Sequence, residues 1–173
     1  LEAREALEVL EQKINRSLSL EVRALNLAGV LLDLCLSDGE KTTRDDIRER
    51  FGNGREWARH ILESGEALAK MQQIIKVQGG KADITSDKLR PARFHLEILS
   101  RHEGHIREID NINITACARM LGAPTVKGAG IFLNKKIGEP FKKNETILTM
   151  YSNSQYHLKE VKETLISMPI YRY

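Results

Sequence analysis

The stretch EALAKMQQIIKVQGGKADITSDKLRPARFHLEILS, residues 66–100, decides the fold class of this chain. Ser64 stands as a cap before a helix, EALAKMQQIIKVQ, which Gly79 and Gly80 bring to a stop. After KADITSDKLRP the period changes from 3.6 to 2. In RFHLEILS, Phe94, Leu96 and Ile98 alternate with polar neighbours, which is the signature of a half-buried strand. The change near residue 80 marks a module boundary, with a helical segment over 1–80 and an α+β module over 81–173.

Working back toward the start, Ala3, Ala6, Leu7, Leu10 and Ile14 recur at three- and four-residue spacing and define one face of a first helix. Glu2, Arg4, Glu5 and Glu8 occupy the opposite face. Ser19 is a candidate cap for a second helix, whose body ALNLAGVLLDLCL (24–36) is apolar nearly all round and so demands cover on several sides. Thr43 with Asp46 gives a capping-box-like start to RDDIRERF. REWARHILES (55–64) repeats the helical period through Trp57, Ile61 and Leu62. LEAREALEVLEQ is in helical register from its first residue and lacks an initiator Met, so a piece of a longer protein is expected.

Working forward, GHIREID alternates again through Ile106. NITACARMLG (113–122) predicts a short helix, strands are expected around IFL (131–133) and ILTMY (147–151), and HLKEVKETLISM (157–168) is amphipathic. The net charge of +3 and 29% charged residues are too small and too dispersed to indicate nucleic acid or a membrane surface. No run reaches the roughly 18 apolar residues of a membrane span. Cys35 and Cys117, without CxxC spacing, read as reduced core residues, and a cytoplasmic location is expected.

The glycine-rich segment GAPTVKGAGIFLNKKIGEPFKKNETIL (122–148) lacks the parts of a phosphate-binding loop. Gly122 and Gly128 enclose five residues rather than four, Ala129 follows in place of Lys, and the glycines lead into a strand instead of opening a helix. They read as corners of the backbone. EGHIREI and IGEPFKKNETILTM imitate the rhythm of a lipoyl or biotinyl carrier, but MYSNSQY has no lysine to carry the group. His102 and His105 fall on opposite faces of an extended chain, a poor arrangement for one metal ion. Glu103, Glu108 and Asp110 form a carboxylate group that reads as a solvated strand face. Lys135, Lys136, Lys142 and Lys143 read as a solvated hairpin, with Phe132 and Phe141 the only interleaved aromatics.

LEAREALEVL, SGEALAKMQQIIKVQGG and GHIREIDNINITACARMLGAPTVKGAGIFLNKKIGEPFKKNETILTMYS, in this order, resemble the C-terminal part of the thymidine phosphorylase family, most of all its archaeal AMP phosphorylase branch. The IDN, GAP, KGAGI and GEP-KKNE-ILT-Y elements carry the resemblance together. It implies a parent phosphorylase (a pentosyltransferase) that cleaves an N-glycosidic bond of a nucleoside or nucleotide with inorganic phosphate as co-substrate. The family's phosphate and base sites precede the LEAREAL helix, so the resemblance implies no catalytic and no cofactor-binding residue here, and an inactive fragment serving as scaffold and cleft wall. One position carries over: Glu5 matches a glutamate that bacterial members contribute to a monovalent-cation site. The resemblance further implies a homo-oligomer, with residues 1–80 as helices flanking the sheet of a larger α/β domain and 81–173 as a barrel-like sandwich with short helices. The alternative from a different class is a stand-alone protein-interaction module with a lipoyl-like sandwich.

Overall fold

A computed structural model describes residues 1–173. The fold is α+β and divides into two compact units, Glu2–Leu89 and Arg90–Tyr173, the latter joined by Leu1. No helix is long and apolar enough to cross a membrane.

The first unit is entirely helical: α1 (Glu2–Leu10), α2 (Leu18–Asp38), α3 (Lys41–Phe51), α4 (Gly54–Glu63) and α5 (Glu66–Val77), followed by a single 3-10 turn at Ser86–Lys88. Several starts differ from the expected caps. Ser17, not Ser19, stands at the N-cap of α2; Glu40 precedes α3, which leaves Thr43 inside its first turn; and Gly65, with φ of 83°, precedes α5 while Ser64 closes α4. Asn53 is a true cap, its side chain accepting from the Glu56 N–H at 3.0 Å.

The closest packing in this unit is between α2 and the start of α4, where two glycines meet. A Cβ on Gly54 would lie 2.3 Å from the Gly29 carbonyl oxygen, and one on Gly29 would lie 2.7 Å from the Arg55 Cα. Asp33 uses this approach, accepting from the Gly54 N–H at 2.8 Å and so satisfying one of the free donors of the α4 N-terminus. Val9, Leu25, Ala58 and Leu62 form the buried cluster around the crossing. Residues 81–89 have no regular period, yet Ser86 is fully buried because its N–H and hydroxyl both donate to the Glu11 carboxylate, the former at 2.9 Å. That anchors the segment to α1 rather than to the strands that follow.

In the second unit the strands are β1 (Phe94–Leu99), β2 (Gly104–His105), β3 (Glu108–Ile109), β4 (Gly130–Leu133), β5 (Pro140–Phe141), β6 (Thr146–Ser152) and β7 (Tyr171–Arg172), with helices α6 (Asn111–Met120) and α7 (Gln155–Thr164). β6 is the centre of an antiparallel three-stranded sheet of order β1-β6-β4, with Leu96 opposite Met150 and Ile98 opposite Leu148. Two further antiparallel ribbons, β2-β5 and β3-β7, complete the strands, so no closed barrel forms. The alternation through GHIREID thus serves two partners: β2 pairs with β5, and β3 with β7.

The core of this unit gathers twelve buried residues, including Ile106, Cys117, Leu121, Leu148, Met150, Val161 and Ile170, with the half-buried apolar residues of β1 and β4 packed against them. β6 is buried on both faces, and its polar residues are accordingly bonded: Thr149 donates to Asn134 Oδ1 at 2.9 Å and Ser152 to the Leu121 carbonyl at 2.7 Å. α6 begins two residues before its expected start because Asp110 caps it, accepting from Ile112 and Asn113 N–H at 3.0 and 2.9 Å. α7 likewise begins at Gln155, after Ser154, whose hydroxyl accepts from the His157 N–H at 3.3 Å.

Candidate functional site

The sequence-predicted candidates fall in separate places. Glu5 lies half-buried in the first turn of α1. No group of three or more His, Cys, Asp or Glu side chains that could hold a metal ion is found in the chain. The His102 ring meets Tyr173 edge-on at 4.9 Å between centroids, whereas His105 sits in β2 opposite Pro140. The carboxylates take structural parts: Glu108 pairs with Arg172 at 3.0 Å and Asp110 caps α6.

The lysine group is equally divided. Lys135 Nζ pairs with Glu145 at 2.7 Å and also donates to the Pro140 carbonyl at 2.9 Å. This lysine, together with the Lys142 N–H at 2.7 Å, holds the Glu145 carboxyl below the usual carboxylate range. Lys143 is exposed. Cys117 is fully buried, and burial pushes its thiol up; Cys35, expected in a core, is exposed on α2 because the neighbouring helices cover only the opposite side of that helix.

The glycine corners do what their spacing suggested. Gly122 follows α6 with φ of 114°, a conformation that a side chain disfavours. At Gly128 the backbone passes so close to the segment before β1 that a Cβ would lie 2.6 Å from the Ala92 nitrogen; the Gly128 carbonyl accepts from that same N–H at 2.8 Å. The turn at 135–147 is locked from the far end of the unit by Tyr171, whose hydroxyl lies 2.8 Å from the Lys135 carbonyl and 2.9 Å from that of Ile147. Burial pushes this phenol well above the ordinary tyrosine value.

The concave surface of this unit lies between β1 and α7. A cavity of about 820 Å³ is floored by Ile98, Leu148 and Tyr171 and walled by Leu165 and Ile166; a second, of about 540 Å³, lies beside Phe94, Leu96 and Leu158. Lys159 and Lys162 line both, which makes them one groove. The sequence reading did not single out this place. Its signals in the sequence were a strand with apolar residues on one face and a helix whose lysines flank an apolar stripe.

Comparisons with known proteins bear on the same unit. Residues 105–168 match the family of the pyrimidine nucleoside phosphorylase C-terminal domain, which takes in α6, the glycine corners, β4–β6 and α7. Over a longer span the chain is 40% identical to an AMP phosphorylase of Methanosarcina barkeri across 164 residues, covering 95% of this chain and 30% of that protein. It is 37% identical to the AMP phosphorylase of Methanocaldococcus jannaschii across 171 residues, 98% of this chain and 32% of the relative. With that of Methanococcus maripaludis strain C5 it shares 40% over 158 residues, 91% and 29% of the two chains. Over nearly its whole length, then, the chain is similar to the C-terminal portion of the thymidine phosphorylase family, of the archaeal AMP phosphorylase type. It spans about 30% of the length of the curated relatives it matches.

Proposed function

We propose that this sequence forms the non-catalytic C-terminal portion of a nucleotide or nucleoside phosphorylase, acting as scaffold and as one wall of the cleft. Such an enzyme transfers a pentosyl group from a base to inorganic phosphate. It must hold the phosphate beside the anomeric carbon and stabilise charge on the departing base. The observation that carries the reading is the identity of about 40% to AMP phosphorylases across 95% of this chain, with the match starting in the helices and running through α7. In this reading the helices of 1–80 belong to a larger α/β domain, 81–173 is the C-terminal module, and the whole enzyme is a cytoplasmic homo-oligomer.

A physical observation supports the helical part of that assignment. Leu27, Val30, Leu31 and Leu34 of α2 are each 60% exposed or more, and Val30 and Leu31 each lie three or four residues from Leu27 and from Leu34, so the four form an apolar stripe suited to burial against further protein. Glu5, on the same reading, supplies one carboxylate of a monovalent-cation site completed by residues outside this sequence.

The test is an assay of the 173-residue chain with inorganic phosphate and AMP or thymidine, following release of free base. No release is expected from the chain alone. Activity is expected when it is expressed in frame as the C-terminal portion of an archaeal AMP phosphorylase in place of that enzyme's own. Turnover by the chain alone, or an inactive but folded chimera, overturns the reading.

A further inference from the structure

β1 is an edge strand: it pairs with β6 on one side and with no strand on the other. In an antiparallel ladder only alternate residues bond to a given neighbour, so every second residue of β1 points its N–H and C=O away from β6. Natural edges are commonly blunted by a lysine, a proline or a covering element. Within FHLEIL there is neither lysine nor proline, and the single irregularity is the register shift between Ile98 and Leu99 at the end of the strand.

The groove described above runs along this edge. Phe94, Leu96 and Ile98, all half-buried, present one apolar face of β1, and Leu158, Leu165 and Ile166 stand opposite them. Around the apolar floor lie Arg93, Arg101, Lys159 and Lys162, against the carboxylates of Glu97 and Glu163. Lys159, Lys162 and Arg101 are exposed and make no ion pair within the chain; Arg93 lies over the Phe94 ring at 5.1 Å. Glu97 is already engaged, accepting from Thr146 Oγ1 at 3.0 Å. The rim therefore has a surplus of unpaired cations beside unpaired backbone donors and acceptors.

We propose that the β1 edge and the α7 groove together bind an extended acidic polypeptide segment, which adds to the sheet as a fourth strand beside β1. The backbone of the segment meets the outward N–H and C=O groups of β1. Alternate side chains turn toward α7, where carboxylates reach Lys159 and Lys162. An extended peptide suits the site better than a nucleic acid does. A strand edge offers backbone bonding at every second residue, and no exposed aromatic row is available along β1 for stacking bases.

The experiment uses the full chain and a short fluorescein-labelled peptide of alternating valine and glutamate, followed by fluorescence anisotropy at low and high salt. Saturable binding that weakens with salt is expected, and binding about tenfold or more weaker for the exposed double variant K159E/K162E. The lysine-for-glutamate version of the peptide should prefer that variant over the original chain. An N-methylated glutamate peptide, which cannot donate from its backbone, should not bind. Equal binding of glutamate and lysine peptides, undiminished binding of the N-methylated peptide, or equal competition by a single-stranded oligonucleotide would each overturn the proposal. Because the readout is binding and not catalysis, it stands or falls separately from the phosphorylase reading.

Discussion

The two units are of similar length and very different self-sufficiency. Arg90–Tyr173 closes twelve buried residues into one core drawn from five of its strands and helices and the loops between them, whereas Glu2–Leu89 gathers four around the crossing of α2 and α4 and leaves the long apolar stripe of α2 open. Hydrophobic stabilisation follows the apolar area removed from water, so the first unit rests on close backbone approach and polar anchors where the second rests on volume. The difference teaches that helical content is a poor guide to independence. A helix apolar on all sides needs partners on all sides.

Substitutions at the tightest point of each unit should separate them most strongly. Met150→Ala in the fully buried centre of β6 is expected to cost about 2–5 kcal/mol, read as a shift of the denaturation midpoint of the β-rich unit. Gly54→Ala drives a methyl group into the Gly29 carbonyl and should destabilise the helical unit by about 1–3 kcal/mol. Hydrogen exchange resolves which unit opens. Loss of protection confined to 90–173 in the first variant and to 2–89 in the second is the expected result, and loss spread evenly over both would dissolve the contrast.

Next in size is association. The triple variant L27K/L31K/L34K, which changes three exposed positions of α2, is expected to abolish concentration-dependent sedimentation of the chain while leaving its helical circular dichroism nearly unchanged. Persistent association in the variant would place the sticky surface elsewhere.

The smallest effect is a pH dependence confined to the helical unit. The Arg16 guanidinium, aided by Gln12 at 3.1 Å, holds the Glu21 carboxyl below its ordinary value of 4.5, against the opposing effect of burial. A carboxyl whose folded value is lowered contributes fully above the unfolded value and loses that contribution as pH falls through the folded one. The helical unit should therefore soften below about pH 4.5, and Glu21→Gln should flatten that part of its stability profile. An unchanged slope in the variant would remove Glu21 from the account.

The sequence was most informative where a period repeats over many residues. The alternation in RFHLEILS gave β1 and its inward face, and the spacing in 55–77 gave α4 and α5. Helix starts were harder, because a serine or threonine before a helix resembles a cap wherever it falls; in α3 the backbone enters the helix at Lys41 before reaching Thr43. The Gly29–Gly54 approach was not legible, since a glycine inside an apolar helix looks the same whether it faces solvent or a crossing helix. The β1–α7 groove was equally hidden. Its parts lie about sixty residues apart, and the missing neighbour of an edge strand leaves no mark in the sequence of that strand.

Ile170 and Tyr171 have a consequence for the order in which the molecule is made. Both belong to the second core, the Ile170 carbonyl accepts from the Asp110 N–H at 2.8 Å, and the Tyr171 hydroxyl secures the turn at 135–147. On the ribosome, the sheet consequently lacks its fastening until these residues leave the exit tunnel, while the helices of 2–89, held by contacts closer in sequence, can collapse earlier.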